Sequence, residues 1–256
     1  MSLCRRIIPC LDVANGRTVK GIKFQNLRDV GDPIQLGRAY QQQGADELMF
    51  LDISASHQRR STMLDWVRGV AAELSIPFAV GGGVNSLEGV LELLRCGADK
   101  VSLNTAAVEN PDLLTAIAQQ CGSQCCVVAI DARRKDDSWE VLTHGGRQQT
   151  GLDALEWGRQ VAEKGAGEIL LTSWDQDGTR SGFDLELTRA FARALRIPVI
   201  ASGGARGPQS FADVFQAGEA DAALAASIFH DGEWTVQALK AAILQISPDL
   251  PLRYPC

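Results

Sequence analysis

No apolar run in this sequence approaches the ~18 residues that a membrane-spanning helix needs. "AALAASIF" (Ala222 to Phe229) is among the longest, so no membrane partner is expected. The N-terminus, "MSLCRRIIPCLD", lacks the uninterrupted apolar stretch of a secretory signal. There are seven cysteines but no CxxC pair, and the three histidines lie far apart. Zinc-type spacing is therefore absent. An odd thiol count without a secretory signal fits reduced cysteines in a cytoplasmic protein. The fragment "DQDGTRSG" (175–182) lacks the later aspartate and closing glutamate of a calcium loop. A formal charge of −6, with lysines and arginines scattered, argues against nucleic acid as a partner, which usually selects a basic stripe.

What the chain has is alternation. Its 256 residues, 45% of them hydrophobic, suffice for a large core. Strand-like runs begin at residues 6, 47, 77, 100, 126, 168, 198 and 221. Between them lie amphipathic segments such as "PIQLGRAYQQQG" (33–44), "DALEWGRQVAEKG" (153–165) and "LELTRAFARAL" (185–195), several closing at glycine as helices often do. Eight β-then-α units fit an α/β fold of the (β/α)8 TIM-barrel type. The spacing 41/30/23 of the first strand starts returns as 42/30/23. That indicates an internal two-fold repeat, with half-barrels of about 1–122 and 123–246 in a single domain spanning 1–256. An open doubly wound sheet explains the alternation but not the matched repeat.

Two phrases carry the repeat into the chemistry. "IPFAVGGGV" (76–84) and "IPVIASGGA" (197–205) each end a strand in glycines. In a barrel the strand ends and following loops form the catalytic face, and bare backbone there lets N–H groups approach an anion. Gly82 and Gly83 with Asn104 and Thr105 are read as one phosphate grip; Gly203 and Gly204 with Ser227 are read as a second. The plain alternative is tight strand-to-helix turns. Two grips on opposite sides of one mouth imply an elongated substrate with a phosphate at each end.

The repeat also pairs Asp12, ending the first strand, with Asp131, ending the fifth. One placed acid and one placed base suffice for proton transfer, with no metal or cofactor. Asp175 and then Asp52 are second-line carboxylates. Two long connections stand out: about 14–31, containing "GRTVKGIKF" with Lys20 able to reach an anionic substrate, and 132–151, with a short hairpin expected around "SWEVLTH". Arg6, Glu47, Lys100 and Glu168 begin strands one, two, four and six, which puts four charges at the barrel floor, where salt-bridge closure is the plain reading.

Taken in order, "RRIIPCLDVANGRTVKG", "DELMFLDISAS", "IPFAVGGGV", "GADKVSLNTAAVENP", "VVAIDARR", "GAGEILLTSWDQDGTRSGFD", "IPVIASGGA" and "ALAASIFH" resemble the family of cyclase subunits of imidazole glycerol phosphate synthase, in histidine biosynthesis. The resemblance covers nearly the whole chain, and "VSLNTAAVENP" and "LTSWDQDGT" are its specific parts. It implies a lyase and cyclase: ammonia attacks the phosphoribulosyl formimino form of aminoimidazole carboxamide ribotide, giving imidazole glycerol phosphate and aminoimidazole carboxamide ribotide. It makes Asp12 and Asp131 the acid/base pair and Lys20 a mobile-loop lysine. Gly83, Asn104 and Thr105 fall in one phosphate site, and Asp177, Gly178, Gly204 and Ser227 in the other, with Thr172 and Ser202 in the substrate-binding set. Arg6, Glu47, Lys100 and Glu168 match an ammonia gate, reversing the plain reading, and a glutaminase subunit is the expected heterodimer partner. Three departures stand out: Arg206 replaces a small residue beside the second grip, "AGEADAALAAS" is one residue longer than usual, and "SPDLPLRYPC" has no assigned role. The rivals are the sister isomerase, which performs an Amadori rearrangement without ammonia, and a catalytically silent barrel that binds a phosphorylated ligand. "CLDVANGRTVKG" and "LNTAAVENP" favour the cyclase.

Overall fold

A computed structural model describes residues 4–22, 25–53 and 60–253. Parts of "GRTVKGIKF", "DELMFLDISAS" and "SPDLPLRYPC" lie outside the described residues. β1 (Arg6–Ala14) leads into an antiparallel hairpin, β2 (Arg17–Ile22) and β3 (Gln25–Gly31), and then α1 (Pro33–Gln42). β4 (Leu48–Asp52), α2 (Arg60–Glu73), β5 (Phe78–Gly81), α3 (Leu87–Arg95) and β6 (Lys100–Leu103) follow, with α4 (Thr105–Glu109) and α5 (Asp112–Cys121) after them. β7 (Cys126–Lys135) runs into a second hairpin, β8 (Ser138–Thr143) and β9 (Gln148–Asp153), before α6 (Ala154–Glu163). β10 (Glu168–Ser173), α7 (Leu185–Ala194), β11 (Val199–Ser202), α8 (Pro208–Gln216), β12 (Ala222–Ala225), α9 (Ser227–His230) and α10 (Val236–Ile246) complete the chain.

Strands β1, β4, β5, β6, β7, β10, β11 and β12 pair in parallel in that order. β12 returns to β1 through Arg6↔Ala222, which closes the (β/α)8 barrel. β1 and β7 are separated by three strands either way, so they face each other across it. Helix starts follow local rules. Asp32, Ser86, Asp153 and Asp184 each accept a backbone N–H of the turn they open, satisfying donors that a helix N-terminus leaves bare.

Side-chain alternation then decides which residues meet. Odd-numbered Ile7, Leu11 and Val13 of β1 pack outward beneath the helices, while Ile8 and Cys10 join Met49, Val127, Leu170 and Ile200 inside the barrel. Arg6 and Asp12 share that inward parity. They sit at opposite ends of one strand face, about 20 Å apart at ~3.3 Å per residue. One strand thus supplies both the floor and the mouth.

The hairpin expected around "SWEVLTH" is present, with Asp131↔Leu142 in register. The long 14–31 connection contains the β2–β3 hairpin, its first strand paired to β1 through Asp12↔Val19. In the turn before the eighth strand, Glu219 takes a left-handed φ of +60° and its carboxylate pairs with Arg193.

Candidate active site

Asp12 and Asp131 end the inward faces of the two opposed strands. Burial pushes the Asp12 carboxyl up to about 6; the charge of Asp177 adds to the rise and Lys20 opposes it. Burial also lifts Asp131 to about 6, against a hydrogen bond from Asn104 and with Asp177 again adding. That bond runs from Asn104 Nδ2 to Asp131 Oδ2 at 2.9 Å. The Asn104 amide oxygen is buried with no hydrogen-bond partner among the described residues, so it offers an acceptor beside Asp131. Asn104, read with the first phosphate grip, therefore also belongs to the carboxylate. Asp177, read with the second, acts electrostatically on both aspartates.

The glycines divide by what a side chain would meet. At Gly82 (φ +98°) a Cβ would lie 1.9 Å from the Asp52 carbonyl oxygen, and at Gly204 (φ +88°) 2.0 Å from that of Gly182. At Gly203 the Ser173 carbonyl oxygen would be 2.8 Å away. At these three positions neighbouring backbone, from the ends of β4 and β10 and from the loop at Gly182, leaves no room for a side chain. Gly83 differs: among the described residues nothing lies within 4 Å of its Cβ direction. Thr105, next to Asn104, accepts the His144 N–H at 3.0 Å, which ties the first grip to the β8–β9 hairpin. Thr172 lies opposite Asp131 in the β7–β10 register and opposite Ser202 in the β10–β11 register. Gly178 is in the turn after β10, whose Asp177 N–H bonds the Ser173 carbonyl at 2.9 Å.

The Lys20 ammonium donates to Ser227 Oγ, so the hairpin lysine reaches the second grip. Behind it, His230 was missed by sequence reasoning, although it stands three residues after Ser227 on α9 and ends the quoted "ALAASIFH". Its Nε2 meets the Cys10 carbonyl at 2.9 Å and its Nδ1 meets the Tyr40 hydroxyl at 2.6 Å. A carbonyl only accepts, so Nε2 carries the proton and Nδ1 accepts from Tyr40. Burial, with the Lys20 charge adding, lowers this imidazole to about 4. An unfolded histidine takes its proton near 6.5. The neutral ring's contribution is therefore complete above pH 6.5 and lost as pH falls toward 4, about 3 kcal/mol over the window. In chemical denaturation, the stability gap between wild type and His230→Asn is expected to shrink steadily from pH 7 to pH 4; a constant gap contradicts this.

At the floor, Arg6 bonds Glu47 at 2.7 Å and also Glu168, while Lys100 approaches Glu47 and Glu168 at 2.8 Å each. The four charges form one closed, alternating ring across the barrel, with both glutamates buried. Asp175, the second-line carboxylate, is exposed, and its Oδ2 accepts the Arg134 N–H of β7 at 2.7 Å. Arg206 is exposed and lines a cavity of about 480 Å³ with Phe183 and Trp234, a cavity that includes no residue of the second grip.

The chain matches the family model described as "Histidine biosynthesis protein" over residues 6–235. The imidazole glycerol phosphate synthase subunit HisF of Prochlorococcus marinus (strain MIT 9211) is 57% identical over 243 residues, 94% of each chain. The protein of the same name from Anoxybacillus flavithermus (strain DSM 21510 / WK1) is 59% identical over 240 residues, 93% of this chain and 95% of that one. Its counterpart in Geobacillus thermodenitrificans (strain NG80-2) is 59% identical over 241 residues, 93% and 96% of the two chains.

Proposed function

The chain belongs to the histidine biosynthesis protein family, and from that premise we propose that it is the ammonia-dependent cyclase subunit of an imidazole glycerol phosphate synthase, a lyase. The observation that carries the reading is the pair of buried carboxylates on opposed strands, both raised to about 6. Adding ammonia to a carbonyl, cutting the link to the departing ribotide and closing an imidazole ring all move protons. A group near 6 accepts a proton at pH 7 and returns it readily. Asp131, oriented by Asn104, is suited to serve one face of the substrate and Asp12, with Lys20 nearby, the other. The Asn104 oxygen is a natural acceptor for a substrate N–H. Gly82, Gly83 and Thr105 hold one phosphate. Gly178, Gly203, Gly204, Ser227 and Lys20 hold the second, and Thr172 and Ser202 line the mouth between them.

Glutamine-derived ammonia would reach this mouth from a glutaminase partner docked on the opposite end, in the cytoplasm. The relatives' name, a synthase subunit, supports such a complex. The Arg6–Glu47–Lys100–Glu168 ring is closed as it stands, so passage requires one pair to part. With the glutaminase present, Lys100→Ala is expected to lower glutamine-dependent turnover about tenfold and ammonium-dependent turnover less than twofold. Equal losses remove the gate from the account.

The reaction itself is tested by giving the purified chain the open-chain nucleotide with ammonium salt. Imidazole glycerol phosphate should form, with no turnover of the unrearranged precursor. Turnover of the precursor alone would assign the sister isomerase activity, and binding without turnover a silent barrel.

A further inference from the structure

One cluster of charge lies outside everything assigned above. Asp231, directly after His230, takes Arg28 on its Oδ1 and Arg180 on its Oδ2; Arg180 also holds Glu233. The three partners come from three different pieces of chain. Arg28 is on β3, directly across from Lys20 of β2. Arg180 is in the turn after β10 that contains Asp177 and Gly178, and it takes a left-handed φ of +56°, unusual for a side chain other than glycine. Asp231 itself stands at the end of α9, whose first residue, Ser227, receives Lys20.

The post under Asp231 is rigid. Both ring nitrogens of His230 are bonded, one of them to β1, so α9 cannot swing freely against the barrel. The hairpin, in contrast, projects beyond it. Lys20–Ser227 and Arg28–Asp231 thus fasten the hairpin at both ends of the four-residue α9. The Asp231 side chain is 22% exposed while that of Arg28 is 62% exposed, so a partly covered acid meets a solvated cation.

We propose that Asp231 is a positioning residue that latches the β2–β3 hairpin through Arg28, and ties it through Arg180 to the second phosphate turn, so that Lys20 is kept at the Ser227 grip. The inference rests on the cyclase reading for its consequence in catalysis but not for the latch. Single exposed ion pairs are weak; one acid shared by two guanidiniums on separate segments is coupled to the order of both. When the hairpin leaves, Lys20 leaves with it, and the apparent affinity falls by the fraction of molecules still latched. High salt weakens the latch by screening.

The test uses the full chain without ligand. In Asp231→Asn, hydrogen exchange of the amides in Arg17–Ile22 and Gln25–Gly31 is expected to quicken about tenfold, with the β8–β9 hairpin unchanged. Arg28→Gln should do the same, and the double variant no more than either single one. In ammonium-dependent turnover, Asp231→Asn should raise KM for the open-chain nucleotide about tenfold with kcat within about twofold, and Asp231→Glu should restore most of the loss. Unchanged exchange in Asp231→Asn, additive effects in the double variant, or quickened exchange with an unchanged KM would each overturn the proposal. If the wild-type chain does not turn over the nucleotide, it is the cyclase reading that fails, and the exchange measurements alone then decide the latch.

Discussion

Asp131→Asn is expected to cut ammonium-dependent cyclisation by about 10²–10⁴-fold while making the ligand-free protein more stable. The amide keeps the shape and can still accept the Asn104 bond, so the site stays assembled. It no longer holds a charge away from water. An acid with a folded pKa of about 6 and an unfolded value near 3.9 stabilises the fold fully below the unfolded value and loses that contribution as pH rises through 6. At pH 7 the ionised, buried Asp131 therefore costs stability, and its replacement should return up to about 3 kcal/mol. Asp12→Asn is expected to behave alike, because burial raises it to the same value. Activity lost with stability gained is the mark of a group kept for chemistry; a purely structural aspartate would lose both.

Gly82→Ala and Gly204→Ala are expected to be the most damaging single changes to the fold around the mouth. Each would combine a left-handed φ with a methyl group about 2 Å from a backbone oxygen, which cannot rotate away. Strain of roughly 1–2 kcal/mol from the dihedral adds to a clash relieved only by moving backbone, so a total loss above about 3 kcal/mol is expected. Thermal melts should show much lower Tm or insoluble protein. Gly83→Ala separates the two roles of these glycines. With no described residue within 4 Å of its Cβ direction it should cost only about 1 kcal/mol, yet raise KM by crowding the first grip. A normal KM in folded Gly83→Ala would remove that position from the phosphate site.

The sequence exposed the frame because its signals were local. Apolar runs ended at Asp12, Asp131, Gly82 and Gly203, and once a strand ends, side-chain parity alone places Arg6 below Asp12 and Glu168 below Thr172. Contacts that depend on how loops return were not legible. Nothing near Asn104 in sequence indicates that its amide lies on Asp131, 27 residues away. Arg28 and Asp231 are 203 residues apart, and neither lies in a periodic segment. His230 was visible as a residue but not as a neutral ring bridging β1 and Tyr40, since both partners are reached only after the barrel closes. Proximity to a strand end likewise does not say on which side of the following turn a carboxylate emerges: Asp175 accepts the Arg134 N–H. Asp177, two residues on, is the one whose charge reaches both aspartates.

The claim on which the rest depends is that burial at opposed strand ends holds two carboxylates ready to exchange protons near neutrality. Titration of the ligand-free protein with ¹³C-labelled aspartate carboxyls, assigned through Asp12→Asn and Asp131→Asn, measures this directly by NMR. Two resonances titrating near pH 6 are expected, one missing from each variant. If both groups titrate near 4 like exposed aspartates, the desolvated pair and the proton chemistry built on it are contradicted.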